Sequence, residues 1–289
     1  SGTTLTSYTF TPIEFNQLAK VFVLVSCVLP DRISLPMINI AAFTFVFLII
    51  IYMYNSKMKF TKSLIKGKFL KRYKRFFVDV KLKKEIVTAH CPNTGSMMGL
   101  LDKGNEVYLL KNEDPKRKLK YGVEMFKTRN NLVGVNTHLA NKIVKHGLIN
   151  NLIKELKNNK SIKPEVFFNK ETRFDFLVEK NDQKSFIEVK NVTLFRNKKT
   201  AEFPDAITSR GSKHLLTLID AIKKGYKSYL IFLVQIQNME NFKIAKDIDY
   251  QYYKNYLIAK NAGVNFLAYR CKISSKEICI DKKLKIIDE

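Results

Sequence analysis

Residues 173–190 read RFDFLVEKNDQKSFIEVK, and charged side chains in and just before this stretch could do chemistry together. Apolar residues alternate on both sides of a polar Asn181-Asp182-Gln183 break, the pattern of two short antiparallel strands. A two-residue turn at Asn181-Asp182 sets Glu179 opposite Lys184, an ordinary cross-strand ion pair, and Asp175 opposite Glu188. Like charges directly opposite each other destabilise a sheet, so the second pair calls for a cation between its members. Glu188 and Lys190 stand two apart in one strand and leave the same face. Glu165, just after Pro164, can add a carboxylate from the preceding strand or helix end. Carboxylates converging on one spot make a hard oxygen site suited to Mg²⁺ or Mn²⁺. Such an ion can activate a water or hold a phosphate oxygen. A lysine beside it can position or deprotonate the water, or stabilise the charge developing at phosphorus. The candidate catalytic group is therefore Asp175, Glu188, Lys190 and Glu165, with Asp175 and Glu188 as metal ligands. On this reading Phe174, Phe176, Val178, Ile187 and Val189 form a core face. Arg173, Asp175, Leu177, Phe186, Glu188 and Lys190 share the other. An exposed hairpin face with incidental charge is the competing reading.

The elements that must position these residues fall into two groups. Between 59 and 137 the chain shows short strand-like runs, RFFVDVKL, EIVTAHC, NEVYLL and YGVEMFKTRNNLVGVN, separated by the turn signals PNTG, DKGN and NEDPKRK. Several short strands at that spacing predict a small antiparallel barrel, with an OB-type barrel as one candidate. From 138 the period changes. HLANKIVKHGLINNLIKELKNN places Leu139, Ile143, Leu148, Leu152 and Leu156 at helical intervals. A strand at PEVFF, the hairpin and a helix over PDAITSRGSKHLLTLIDAIKKG follow, the helix with Asp205 near its start and Gly225 placed to end it. YLIFLVQIQ reads as a strand buried on both faces. A helix over DYQYYKNYLIAKNAG leads to strand VNFLAYRC. Helices alternating with strands late in the chain predict a mixed sheet sandwiched by helices. The expected organisation is an extension at 1–57, an OB-like domain at 58–137 and a sheet-and-helix domain at 138–289.

The chain has 289 residues, 46% of them apolar, enough for two domains with a sizeable core. Its 51 Lys and Arg against 26 Asp and Glu leave a charge of +25, a field that attracts polyanions. Nucleic acid and anionic membrane are the two evident partners, and a merely solvated basic surface is the plainer alternative. Cys27, Cys91, Cys271 and Cys279 form no C-x-x-C pair, and the four histidines lack zinc-like spacing. A disulfide framework and a structural zinc site are both disfavoured, and the pattern suits a reducing, cytoplasmic compartment.

The charge is unevenly shared. Residues 1–57 hold only Lys20, Arg32 and Lys57 against Glu14 and Asp31, a net +1, so +24 falls on residues 58–289. Residues 33–56, ISLPMINIAAFTFVFLIIIYMYNS, carry no charge and are long enough to span a bilayer. The lysines that follow would keep the basic side cytoplasmic. A cleaved signal peptide fits poorly, because the apolar stretch is too long and lacks a small-residue cleavage site. A competing expectation treats 1–57 as a segment joined on ahead of Met58.

Four further stretches bear on partners. KRYKRFF (71–77) combines four cations with three aromatics, which can track a phosphate backbone and stack bases, so Lys71, Arg72, Lys74 and Arg75 are candidate DNA contacts. DPKRKLK (114–120) is a basic loop of the same kind. Arg210, Lys213 and His214 fall within about one helical turn and could meet a phosphate beside the metal. In HCPNTGSM, His90 and Cys91 are adjacent strand residues and point to opposite faces, so they do not form a nucleophile–base pair. Cys91 is expected to be a buried thiol. Asn93, Thr94 and Gly95 are expected to build a turn that approaches DNA or the other domain.

The D…E-x-K arrangement on this element order resembles the PD-(D/E)XK nuclease superfamily. From Met58 onward the chain also resembles the sugar fermentation stimulation protein family (SfsA) over nearly its full length. The resemblance rests on KRYKRFFVDV (71–80), HCPNTGSM (90–97), VNTHLANKIV (135–144), RFDFLVEK (173–180), FIEVKNVTL (186–194), FPDAITSRGSKHL (203–215) and GVNFLAY (263–269). It implies an N-terminal OB-like domain, a PD-(D/E)XK-like domain and DNA binding, with Asp175, Glu188 and Lys190 at the family's acidic-site positions and Glu165 beside them. The chain departs at Asn191, where the family usually has Ser. It departs again at Val123-Glu124, where an aromatic-Glu pair is usual. Residues 1–57 have no counterpart there. The expectation that follows is a DNA-binding protein with a nuclease-like Mg²⁺ or Mn²⁺ site. An active DNA phosphodiesterase is one alternative. A membrane-tethered basic adaptor, anchored at 33–56, is another.

Overall fold

The computed structural model describes residues 58–287. The candidate membrane span at 33–56 lies outside them. Among the described residues no helix is long and apolar enough to cross a membrane.

The first described strand, β1 (Met58–Lys59), belongs to the large sheet treated below. Next come β2 (Ile65–Tyr73), β3 (Phe77–Lys81), β4 (Ile86–His90), β5 (Glu106–Lys111) and β6 (Tyr121–Lys127), in the spatial order β4-β3-β2-β5-β6. A parallel contact of β4 with β6 at His90 and Gly122 closes these five into a barrel, and β7 (Leu132–Gly134) extends the sheet beyond β6. Alternation drives the closure. Val78 and Val80 on β3, Val87 and Ala89 on β4, and Val107 and Leu109 on β5 point inward and are buried, with polar neighbours between them. The expected OB-type barrel is what forms.

Helix α1 (His138–Ile149) follows, then β8 (Ser161–Phe167), β9 (Arg173–Lys180), β10 (Gln183–Val192), β11 (Leu194–Phe195) and β12 (Thr200–Phe203). The remaining elements are α2 (Ser209–Lys223), β13 (Lys227–Val234), β14 (Asn241–Ile244), α3 (Tyr250–Asn261), β15 (Asn265–Ile273), β16 (Glu277–Lys283) and β17 (Lys285–Ile286). Seven strands make one mixed sheet in the order β1-β16-β15-β13-β10-β9-β8, with β10, β13 and β15 parallel. On one face α1 packs Ile143, Val144 and Leu148 into a cluster with Ile187, Ile231 and Leu267. On the other, α2 and α3 bring Leu215, Leu218 and Tyr256 against Phe186, Phe232 and Ala268. This is the expected sheet sandwiched by helices, and β13 is buried on both faces as its unbroken apolar run required.

The hairpin turn also forms as read. Asn181 and Asp182 both take positive φ, and Lys184 pairs with Glu179. The two-faced description of the hairpin needs correction. Phe186 and Glu188 are as buried as the supposed core face, because β10 is a central strand with helices on both sides. Phe174 packs against Phe168 and Phe186 rather than with Phe176 and Val178. The helix expected from Pro204 begins instead at Ser209. Its cap is Thr208, whose hydroxyl accepts the Gly211 N–H at 3.0 Å. Gly225, at φ +85°, ends it as expected. A second sheet, β11-β12-β14-β17, was not anticipated. Arg196 clamps it through Glu202 and Asp247.

Candidate functional site

The candidate site lies where β9 peels away from β10. Register pairing between them runs to Phe176 and Ile187 and stops there. Asp175, next along β9, takes over the ladder with its side chain: its Oδ2 accepts the Val189 N–H at 2.7 Å. Its Oδ1 accepts from Nδ2 of Asn141, at 2.7 Å, which α1 presents from one face of the sheet. Glu188 is buried on β10. Its Oε1 receives Lys190 Nζ at 2.7 Å and is in contact with His214 Nδ1, which α2 presents from the opposite face. Lys190 Nζ also lies 3.2 Å from His214 Nδ1. Glu165 sits in β8 in a left-handed conformation, φ 55°, pairs with Arg173 at 2.9 Å and reaches the same Asn141 amide at 3.5 Å.

The two carboxyls, Glu188 buried and Asp175 half-buried, are driven apart electrostatically. Burial, and after it the charge of Glu188, pushes Asp175 up to about 7 against the opposing pull of Val189 N–H, Asn141 and Lys190. Burial acts on Glu188 in the same sense, but Lys190 and His214 outweigh it and hold that carboxyl below the usual range. Tyr252, on α3, is wholly buried with its hydroxyl unpartnered, and burial followed by the charge of Glu188 keeps that phenol protonated. One carboxyl thus stays ionised while its neighbour titrates near neutrality, a division seen where acid and base roles are separated.

Among the described residues no group of three or more His, Cys, Asp and Glu converges as a cage for a metal. Mg²⁺ does not need one, because it keeps several waters and takes one or two carboxylates. Asp175 and Glu188 fit that mode: their mutual repulsion is what a cation between them relieves.

The structure rearranges the proposed phosphate contacts. His214 is buried against Glu188 and Lys190, so it positions the acidic site rather than facing outward. Arg210 is exposed one turn earlier, with Nε 3.4 Å from His214 Nε2. Lys213 is exposed and pairs with Glu171 at 2.7 Å. On the barrel, Arg72 is committed to backbone carbonyls: it donates to Arg75 at 2.9 Å, Gly95 at 3.0 Å and Asn93 at 2.8 Å. It is therefore a brace for the 93–96 turn. Lys74 and Arg75 form the tip of the β2–β3 hairpin and are exposed, as are Tyr73 and Phe76. Lys71 lies 3.5 Å from Asp79 and over the Tyr73 ring.

The PNTG turn approaches the sheet-and-helix part, as expected. A Cβ on Gly95 would stand 2.4 Å from Asp205 Oδ2, and the same carboxylate accepts the Met97 N–H at 3.2 Å. Asp205 is thus a strut between barrel and sheet, ahead of α2 rather than near its start. Cys91 is buried, which pushes its thiol up. Asn141 is the site residue that sequence reasoning missed, since an uncharged Asn within a helical period carries no chemical signal of its own.

Residues 70–135 match the family model described as the SfsA N-terminal OB domain, and residues 138–277 match the sugar fermentation stimulation protein RE domain. A sugar fermentation stimulation protein homolog of Pelagibacter ubique is 76% identical over 231 residues, covering 80% of this chain and all of that one. The chain belongs to the SfsA family. The homolog of Pseudoalteromonas atlantica is 43% identical, again over 80% of this chain and all of its own. In structure the chain is similar to SfsA of Pyrococcus furiosus, solved in complex with Ca²⁺, at a TM-score of 0.73 and 26% identity over 80% of this chain and 98% of that one. Within the SfsA frame, Asp175, Glu188 and Lys190 fall inside the RE-domain match, and the exposed hairpin tip falls inside the OB-domain match.

Proposed function

We propose that this SfsA homologue binds DNA and holds a divalent cation, Mg²⁺ or Mn²⁺, between Asp175 and Glu188 in a nuclease-like site. The observation that carries this reading is a half-buried Asp175 carboxyl beside the buried Glu188, raised to about 7 by burial and then by the charge of Glu188, in a chain of +25 charge. The Ca²⁺ in the Pyrococcus furiosus relative supports a hard-cation site in the family. Bound there, the cation would act as a Lewis acid on a phosphate oxygen. Asn141 and Val189 N–H orient Asp175, and Lys190 and His214 orient Glu188. The hairpin tip at Lys74 and Arg75, flanked by Tyr73 and Phe76, gives a cationic and aromatic surface suited to the backbone and bases of a single strand.

Lys190 also favours a second reading, in which the site turns over as a phosphodiesterase. Its ammonium, on the face of Glu188, is placed to stabilise developing charge at phosphorus. One experiment separates the two. Protein and its Asp175→Ala variant are incubated with plasmid and single-stranded DNA in Mg²⁺ or Mn²⁺, and binding is followed in Ca²⁺. Metal-dependent nicking lost in the variant makes it an enzyme. Tight metal-supported binding without cleavage makes it a DNA-binding protein on this scaffold. Absence of both nicking and binding would overturn both readings.

A further inference from the structure

A cleft of about 650 Å³ opens between the closing edge of the barrel and the first turns of α1, and no role described above uses it. Its floor is β6. Gly122 faces open space there: a Cβ on it would meet nothing nearer than Glu124 Oε1, at 4.0 Å. Glu124 is buried, with both carboxylate oxygens accepting from Asn136 Nδ2 at 3.0 and 2.9 Å. Each oxygen keeps lone-pair capacity for a second donor. His90 and His138 stand in the wall. Arg117 and Lys142, both exposed, line the rim. Burial, and after it the charges of His138 and Arg117, lowers His90, while burial raises Glu124 against the opposing pull of Asn136 and Lys142.

A buried carboxylate in a cleft that two imidazoles also line, with an exposed guanidinium and ammonium, combines opposite demands. The rim asks for an anion. The floor asks for an N–H donor edge, and the two lining imidazoles, that of His90 with one face stacked on Phe76, give aromatic neighbours for a ring. The volume is in the usual range for a small-molecule site and exceeds what a phosphate alone would fill. We propose that this cleft binds a nucleotide, with the N–H edge of its base on Glu124 and its phosphate on Arg117 and Lys142. A guanine, with two adjacent donors, matches the two oxygens of Glu124 best. The nucleotide could come from a single strand or be free in solution. This site is separate from the acidic pair: α1 presents Asn141 to Asp175 but His138 and Lys142 to the cleft.

The test is equilibrium dialysis of the full chain with the four nucleoside monophosphates, without divalent metal. GMP binding below 1 mM is expected. It should weaken at least tenfold in Gly122→Val, which places methyl groups on the floor from a Cβ that has room, and in Arg117→Ala, which alters only an exposed side chain. Glu124→Gln should lose the preference for GMP. Unchanged thermal melting of Gly122→Val and Arg117→Ala certifies their folds, and GMP binding that survives Asp175→Ala keeps this result distinct from the fate of the metal-site reading. Displacement of GMP by a five-nucleotide single strand would assign the site to nucleic acid, and failure of displacement to a free nucleotide. No binding of any monophosphate at 1 mM, or binding indifferent to Gly122→Val, would overturn the proposal.

Discussion

The acidic site and the β2–β3 hairpin tip both gather charged side chains within a few residues, yet the fold treats them in opposite ways. At the acidic site Glu188 is buried, Asp175 and Lys190 are half-buried, and each has a named partner. At Lys74 and Arg75 the side chains stand in solvent on a turn with positive φ. Burial converts charge into chemistry, because desolvation, and after it the charge of Glu188, holds Asp175 up to about 7. Exposure leaves charge as a field, screened by salt and able to attract a polyanion without shaping a reaction. Arg72 shows the boundary: two residues from the tip, the same side-chain type has become a structural brace.

That contrast can be broken or sharpened by substitution. The largest effect is expected from Lys190→Met, which leaves Glu188 buried with one fewer partner. Breaking a buried pair costs about 3 kcal/mol, read as a lowered denaturant midpoint, and Lys190→Met with Glu188→Leu should recover much of it. Next comes Asp175→Asn, expected to lower metal-supported DNA binding or cleavage about a hundredfold, roughly 2.7 kcal/mol. The same variant should gain thermal stability in EDTA at pH 8. With a folded value of about 7 against 3.8 unfolded, the native state binds the extra proton, so wild-type stability falls as pH rises through that window. The Asn variant lacks that fall, and the two proteins should converge below pH 4.

Arg72→Ala should cost about 2 kcal/mol of stability, because carbonyls of the 93–96 turn lose their donor. Urea melts would detect this, and an unchanged melt would return Arg72 to the list of solvated cations. Smallest in energy is the double change Lys74→Ala and Arg75→Ala. It should leave the melt unchanged, weaken DNA binding about tenfold and reduce the slope of log K against log salt by about 2. A stability loss there instead would erase the distinction between the two regions.

The hairpin, its turn and the shared face of Glu188 and Lys190 were legible because period-two alternation and a two-residue polar break determine register locally. The barrel was legible for the same reason. The β11-β12-β14-β17 sheet was not, since strands of two to four residues carry too little alternation to stand out. His214 was legible as a basic residue on a helix. Helical period alone does not say which strand that helix covers.

By itself, then, the sequence determined the elements, the basic field and the identity of the acids, because those depend on residue types and spacings of a few positions. Only the tertiary structure decided that Asn141 and His214 approach the acids from opposite faces of the sheet, that Arg72 is committed to carbonyls and that Glu124 lies at the floor of a cleft. These are contacts between elements distant in the chain. Their energies come from burial and desolvation, which no local pattern of residues specifies.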